Sequence, residues 1–334
     1  MDKPRYSVIV PVYNRPVEVE DLLGSLQKQT RKDFEVIIVE DGSTISCRAE
    51  TEKYAGELDV HYFWKANEGR SIARNYGIER SQGEWLVFFD SDCVIPYDYF
   101  DNLSRALDQN PLDCYGGPDA AHESFSPVQK AINFAMTSFI TTGGIRGGKI
   151  SMEKFTPRSF NMGYRRKVYD EVGGFREMFS EDIDMSTRIR QAGYKIGLIA
   201  EAPVYHKRRV DFRKFFRQVH VFGMSRITLK LLYSDSLKLV HTLPALAVLI
   251  ALACIVFAIV FSPWWLLPLA IYGLALIVCA AISTKSLKVT LLSLPAGVIQ
   301  IVGYGTGFLR AWFGKILLRR GRDIQSEIEM RRGK

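Results

Sequence analysis

The chain has 334 residues, of which 47% are hydrophobic and 24% are charged, and this length leaves room for two domains. Its formal net charge at pH 7 is +8, but the first 206 residues are net acidic and the basic residues crowd around apolar segments after residue 207. This distribution argues against nucleic acid as a partner and favours anionic lipid headgroups.

Apolar runs alternate with helical patterns through the first 110 residues. The predicted elements are strands at Tyr6–Val12, Phe34–Val39, Val60–Trp64 and Trp85–Phe89, and helices at Val17–Gln29 and Ser71–Arg80. This alternation is typical of an α/β fold in which helices cover both faces of a parallel sheet. The sequence has no G-x-G-x-x-G after the first strand and no G-x-x-x-x-G-K-[ST], so a dinucleotide-binding Rossmann domain and a P-loop lack support.

Two carboxylates, Asp90 and Asp92, directly follow the hydrophobic strand that ends at Phe89. Strand ends in an open α/β sheet are where ligands bind, and carboxylates held there suit a hard divalent cation. Asp-x-Asp also occurs in many surface turns, so the pair alone does not decide between a site and a turn.

Four further motifs accompany this pair in a fixed order. They are SVIVPVYNRP from Ser7, VEDGS from Val39, NEGRSIARN from Asn67 and SEDID from Ser180. Together with Asp90-Ser91-Asp92, they resemble the family 2 glycosyltransferases of GT-A fold, from about Ser7 to about Gly223. The resemblance implies the nucleotide-diphospho-sugar transferase fold, a mostly parallel mixed sheet between helices. It also implies a hexosyl- or N-acetylhexosaminyltransferase type of enzyme.

The resemblance places the nucleotide-sugar donor at the strand ends. Pro11, Tyr13, Asp41 and Arg74 stand where the family holds the nucleobase. Asp90 would contact the ribose, the metal or its water. One departure is the acidic pair before Gly42, where this chain has Glu40-Asp41 and the family commonly has two aspartates; only Asp41 is therefore assigned to the donor site.

A metal site for Mg²⁺ or Mn²⁺ follows from the same resemblance. Asp92 would bind the cation directly, with Asp90 beside it. His206 follows an apolar, strand-like stretch, where a histidine is often structural, but its position matches a histidine that completes the metal site in GT-A enzymes.

The acidic motif near Ser180 opens a helix that is predicted from Asp182 to Ala192. Acidic residues are common in a first helical turn, but the family pattern assigns the general base to Asp182, with Glu181 and Asp184 supporting it or binding the acceptor. The glycine-rich loop around Arg146 is read equally well as a linker or as a loop that orders over the acceptor. A single base implies, through the family, inversion at the anomeric carbon.

Apolar segments dominate the C-terminal third. Leu243–Phe261 and Trp264–Ile282 are each 19 residues without a charge, enough to cross a hydrocarbon core. A third stretch, Val289–Leu309, contains Pro295 and three glycines in its second half and is predicted either to span or to be re-entrant. A helix with aromatic and basic faces, near Phe212–Lys230, fits the membrane interface.

The domain organisation follows from these segments. The predicted parts are a GT-A catalytic domain at 1–206, a basic interface helix at 207–236, membrane helices at 237–312 and a basic cytosolic tail at 313–334. Met1–Arg5 leads straight into the first strand, so we expect a cytosolic catalytic domain at the cell inner membrane or plasma membrane. The five cysteines lack metal-ligand spacing and are expected to be reduced.

The leading functional prediction is an inverting, metal-dependent glycosyltransferase. Its donor would be a nucleotide sugar, and its acceptor a hydroxyl of a lipid-linked saccharide or surface polysaccharide. The closest alternative is a polyprenyl-phosphate glycosyltransferase, whose ionised acceptor needs no base. A processive synthase is disfavoured because Val221 and Phe222 replace the Arg-Trp of its signature. An inactive membrane scaffold is the alternative of another class.

Overall fold

The computed structural model describes residues 3–120, 125–143, 155–206 and 211–318, except for a few side chains. The described residues form two compact units. The first combines residues 3–120 with 155–206, and the second combines 125–143 with 211–318. The second unit therefore takes one segment from the middle of the sequence that encodes the first.

Ten strands and twelve α-helices make up the described chain. The strands are β1 (Tyr6–Val12), β2 (Phe34–Asp41), β3 (Val60–Lys65), β4 (Trp85–Phe89), β5 (Cys93–Val94), β6 (Cys114–Gly116), β7 (Asp119–Ala120), β8 (Asn161–Arg165), β9 (Ile196–Leu198) and β10 (Val204–His206). The helices are α1 (Pro16–Gln27), α2 (Arg48–Glu52), α3 (Arg70–Glu79), α4 (Tyr99–Gln109), α5 (Pro127–Thr137), α6 (Phe139–Thr142), α7 (Arg166–Val172), α8 (Glu181–Gln191), α9 (Phe212–Leu232), α10 (Leu239–Val260), α11 (Leu267–Thr284) and α12 (Leu287–Ala311). The six elements predicted between Tyr6 and Phe89 are all present, with ends that agree within two residues.

A seven-stranded sheet in the order β3-β2-β1-β4-β8-β6-β9 forms the centre of the first unit. Strands β1 to β4 run parallel to one another, and β8 is antiparallel to β4 and β6. Because β1, β2 and β4 are buried on both faces, their sequences are continuous apolar runs with little alternation. This arrangement confirms the predicted mixed, mostly parallel sheet between helices.

The two faces of the sheet build two separate hydrophobic cores. Val8 and Val10 point into one core, together with residues of α1 and α4. Ile9 and Ile37 point into the other, with residues of α3 and α8. Successive side chains of a strand point to opposite faces, so a single apolar run supplies both cores.

A second, three-stranded sheet in the order β5-β10-β7 lies in the same unit. In this sheet β10 is antiparallel to β5, and the backbone of His206 is paired with that of Cys93. His206 is therefore held one residue along the chain from Asp92. The side chain of His206 lies outside the described part of the structure.

Within the described ranges, three helices of the second unit are long and apolar enough to cross a membrane. They occupy Leu239–Val260, Pro263–Thr284 and Leu287–Leu317. The third begins with α12, which continues without a break through Pro295 for 25 residues. At about 1.5 Å per residue, α12 is about 38 Å long, which exceeds the roughly 30 Å of a hydrocarbon core. Its length thus satisfies the spanning alternative for the third apolar stretch.

The backbones of α9 and α12 are in direct contact. A Cβ atom added to Gly307 would lie 2.0 Å from the carbonyl oxygen of His220, and one added to Gly223 would lie 2.1 Å from that of Tyr304. Small residues spaced four apart, here Gly303 and Gly307, are a common means of bringing membrane helices together. The basic aromatic helix predicted near residue 212 is therefore packed along α12 in this unit.

We expect Gly307→Ala to destabilise the second unit, because the added methyl group has no space beside the His220 carbonyl. Overpacking of this kind typically costs about 1–3 kcal/mol. The measurement is thermal unfolding of the detergent-solubilised protein. Gly273→Ala is the matched control, since its nearest neighbour would be 3.7 Å away and alanine is the better helix former. Equal melting temperatures for both variants would contradict the close α9–α12 contact.

Candidate active site

The carboxylates that follow β4 lie at the carboxyl edge of the central sheet. The side chain of Asp90 is 32% exposed, and its Oδ1 accepts a hydrogen bond of 2.7 Å from Nη2 of Arg74. The side chain of Asp92 is 14% exposed, and its Oδ2 lies 3.5 Å from Nη1 of Arg15. Both carboxylates are thus held by arginines while retaining access to solvent.

Arg74 connects the two acidic motifs of the predicted site. Its side chain is fully buried; while Nη2 binds Asp90, Nη1 donates to Oε1 of Glu181 at 2.9 Å. The second oxygen of Glu181 accepts from Arg70 at 2.8 Å. The guanidinium also lies over the ring of Phe175, 5.5 Å from its centroid. The sequence analysis assigned Arg74 to the nucleobase; the structure adds an ion-pair chain from the donor motif to the acceptor motif.

Asp41, at the end of β2, organises the turn that leads into α3. Its Oδ1 accepts from Nζ of Lys65 at 2.9 Å and from the backbone N–H of Glu68 at 3.0 Å. Its Oδ2 accepts from the N–H of Gly69 at 2.8 Å. The side chain is 6% exposed. Asp41 therefore lies at the predicted strand end, where it also fixes the NEGR segment against β2.

Glu40 points away from this turn. Its Oε1 accepts from the backbone N–H of Cys47, and its Oε2 accepts from the hydroxyls of Ser46 and Tyr62. The residue is fully buried. These contacts give Glu40 a structural role in the loop after β2, which agrees with leaving it out of the donor site.

Asn14 joins the loops after β1 and β2, a contribution that the sequence analysis missed. Its Oδ1 accepts from the backbone N–H groups of Thr44 at 2.8 Å and Ile45 at 2.9 Å. Its φ angle is +53°, in the left-handed region that asparagine tolerates better than most residues. An asparagine directly after a buried strand was the available signal. Beside it the side chain of Tyr13 is 52% exposed, and Pro11 is half-buried in β1.

The acidic residues at the start of α8 differ in their surroundings. Asp184 is fully buried and accepts from Arg176 at 3.1 Å and from Arg188 at 2.9 Å. Asp182 is 15% exposed, and Nη1 of Arg158 lies 3.7 Å from its Oδ2. Asp182 is thus the carboxylate of this turn that keeps solvent access without a close arginine contact in the described structure. The predicted roles of these residues stay predictions, and Arg146 lies outside the described residues.

The donor atoms of Asp90 and Asp92 fit a hard divalent cation, because both are carboxylates at one strand end with partial exposure. Cys93 is not a competing thiolate ligand, since burial raises the pKa of its thiol well above the ordinary value. A different grouping, Glu35, Asp59 and His61, brings ligand atoms within 4.8 Å of one another. Those residues lie at the beginnings of β2 and β3, the edge opposite to Asp41.

The motifs that meet at this edge fall within one family model, described as glycosyl transferase family 2, which matches residues 7–173. The chain belongs to this family. The membership confirms the resemblance predicted from the sequence motifs.

Relatives in this family come from several bacteria. The chain is 29% identical over 185 residues to the uncharacterized glycosyltransferase EpsJ of Bacillus subtilis (strain 168), which covers 54% of this chain and 52% of EpsJ. It is 26% identical over 225 residues to the O-antigen chain rhamnosyltransferase WbaN of Salmonella anatum, which covers 64% of this chain and 70% of WbaN. The chain spans about half or less of the length of several of these relatives, EpsJ among them.

A solved structure supports the fold. Mannosyltransferase PcManGT from Pyrobaculum calidifontis, in complex with GDP-Man and Mn²⁺, superposes with a TM-score of 0.57. The match covers 95% of this chain and 88% of PcManGT at 18% sequence identity. This likeness confirms the predicted GT-A fold class for this member of the family.

We expect Asp184→Asn to lower the free energy of unfolding by about 3–5 kcal/mol, the range for removing one partner of a buried ion pair. The reason is that Arg176 and Arg188 would lose the charge that both contact. Chemical denaturation of the full chain measures the change. Asp182→Asn is the control, because its nearest arginine is 3.7 Å away and its loss should cost less than about 1 kcal/mol. A stable Asp184→Asn protein would contradict the supporting role.

Proposed function

We propose that this family 2 member is an inverting, metal-dependent glycosyltransferase. It would transfer a sugar from a nucleotide-diphosphate donor to a hydroxyl of a lipid-linked saccharide or surface polysaccharide. The observation that supports this most is the ion-pair chain through Arg74, which joins the carboxylate after β4 to the acidic start of α8. The rhamnosyltransferase WbaN and the sugar-nucleotide complex of PcManGT are consistent with this reaction class.

In this proposal the donor lies at the carboxyl edge of the sheet. Tyr13 and Pro11 offer apolar surface to the base, and Asp41 and Arg74 line that side. Asp90 and Asp92, with His206, would hold Mg²⁺ or Mn²⁺ against the diphosphate. When bound, such a cation neutralises the diphosphate and stabilises the charge on the departing group.

On the acceptor side, Asp182 is proposed as the general base. A sugar hydroxyl is a weak nucleophile at neutral pH, so a carboxylate that takes its proton speeds the attack. The acceptor oxygen forms a bond to the anomeric carbon, the bond from that carbon to the diphosphate breaks, and the acceptor proton moves to Asp182. A single displacement of this kind inverts the anomeric configuration.

Glu181 is proposed to position this base without removing a proton itself. Both of its oxygens are occupied by arginines, Arg70 and Arg74, and its side chain is only 2% exposed. It therefore has little access to an acceptor. Its contact to Arg74 links the first turn of α8 to Asp90, so the donor and acceptor carboxylates share one rigid connection.

We further propose that the enzyme works at the cytosolic face of the inner or plasma membrane. The three apolar helices supply the membrane attachment. The exposed basic side chains of α9, Arg213, Lys214 and Arg217, would interact with anionic lipid headgroups. A lipid-linked acceptor would then meet the catalytic residues in the layer next to the membrane.

Asp182→Asn should lower the turnover number by about 10²–10⁴-fold, the usual range for a general base, with little change in donor affinity. The measurement combines steady-state release of nucleoside diphosphate with calorimetric binding of the donor. Asp170→Asn, an exposed position on α7, is the control. A loss of donor affinity would move Asp182 to the donor site. Unchanged turnover would instead favour the polyprenyl-phosphate alternative, whose acceptor is already ionised.

Asp92→Ala should weaken the binding of Mn²⁺ in the presence of nucleoside diphosphate by at least about tenfold, because it removes a proposed ligand. Its fold should be retained, since the removed group is a carboxylate that fills no apolar core. Calorimetric titration with Mn²⁺ measures this, with Asp108→Ala as a surface control on the same unit. Equal Mn²⁺ affinity in both variants would overturn the metal assignment.

A further inference from the structure

The segment that forms α5 and α6 interrupts the sequence of the first unit between β7 and β8, yet it belongs to the second unit. Between Pro127 and Thr142 its only charged side chain is Lys130, close to the N-terminal end of α5. The other side chains are mostly apolar or small hydroxyls. This composition resembles that of the helices it packs against more than that of a surface insertion.

One face of α5 is buried by the helices of the second unit. The shared hydrophobic cluster contains Ala131, Ile132, Ala135 and Met136 of α5, Phe215 and Val219 of α9, and Val289 and Ala296 of α12. Phe134 packs with Leu276 and Ala280 of α11 in a second cluster. Two of these neighbours, α11 and α12, are helices long and apolar enough to span a membrane.

The contacts with α11 fix the depth of the segment along that helix. At the turn between α11 and α12 the hydroxyls of Thr284 and Thr290 lie 3.4 Å apart. Tyr272, which donates to the carbonyl oxygen of Ile140 at 3.2 Å, lies twelve residues before Thr284. That separation corresponds to about 18 Å along the helix axis. Since a hydrocarbon core is about 30 Å thick, this contact falls well inside the span and away from its ends.

The polar groups around α6 are satisfied within the protein, as a hydrocarbon environment demands. The hydroxyl of Thr141 donates to the carbonyl of Ala135 at 2.7 Å, and that of Thr142 donates to the carbonyl of Ser138 at 2.9 Å. The Tyr272 hydroxyl serves the carbonyl of Ile140. These carbonyls lie where α5 ends and α6 runs, so protein donors replace water at this bend.

The opposite side of the segment presents an aromatic side chain. Phe139, the first residue of α6, is 58% exposed in the described structure. The lipid-facing positions of α10 are exposed to a similar degree, as Ile250 shows at 50%. A phenyl ring next to a deep α11 contact, with no charge on its own helix, suits acyl chains better than water.

We propose that α5 and α6 form a re-entrant membrane element that enters the hydrocarbon layer from the side of the α11–α12 turn. Phe139 would contact lipid acyl chains at its deepest part. Phe134 packs near Ala280 and Ile140 near Tyr272, so the chain runs deeper from α5 to α6. The occupant of the exposed face is the bilayer itself.

Electron paramagnetic resonance on the full chain in liposomes tests this proposal. A nitroxide attached to Phe139→Cys should collide readily with oxygen and rarely with a water-soluble nickel chelate, which gives a positive depth parameter. Ile250→Cys on α10 is the lipid-facing reference, and Val17→Cys on α1, 66% exposed, is the aqueous reference. Four of the five native cysteines are buried, and the labelled parent protein provides the blank.

The possible outcomes are distinct. A positive depth parameter at position 139, on the same side of zero as that at position 250, supports the re-entrant element. A zero or negative value, like that expected at position 17, overturns it. Poor collision with both oxygen and nickel would mean that protein covers Phe139, and this also overturns the proposal. If Ile250→Cys itself behaved as aqueous, α10 would not be embedded, and the membrane premise would fail with it.

Discussion

The buried guanidinium of Arg74 is the interaction on which the candidate site depends. An arginine removed from water is tolerated only when anionic partners surround it, and here Asp90 and Glu181 supply them on either side. These partners come from distant parts of the chain, one after β4 and one at the start of α8. The charge of Arg74 therefore holds together two loops that the sheet alone brings only to the same edge. Arg70 adds a second cation to Glu181 and strengthens the same connection.

Much of this arrangement could be predicted from the sequence because its signals are local. The apolar runs of β1, β2 and β4 identified the sheet, and the ordered acidic motifs identified its carboxyl edge. The pairing of Arg74 with Glu181 could not be predicted, since neither residue's neighbours encode the other. The distinction between Asp182 and Asp184 was equally hidden, because Arg176 and Arg158 lie outside the motif that contains both carboxylates.

The division of the chain into units shows the same limit on a larger scale. An apolar helix near Gln129 was predicted, but periodicity does not say which partner an apolar face has. The structure gives α5 to the helices of the second unit, about 150 residues further along the chain. Similarly, the pattern of α9 predicted an interface helix, whereas its glycine contact with α12 required coordinates. Composition indicated membrane helices without indicating which other segments join them.

This placement of α5 has a consequence for biosynthesis. The apolar face that includes Ile132 is made long before its partners on α12, such as Val289. At roughly 5–20 residues per second, that interval is on the order of ten to thirty seconds. Throughout it, a helix encoded inside the catalytic sequence exposes surface that the finished first unit has no means to cover. Release from the ribosome in good order therefore depends on a chaperone, or on early contact of α5 with a membrane. A soluble fragment that keeps α5 while lacking α12 would be prone to aggregation for the same reason.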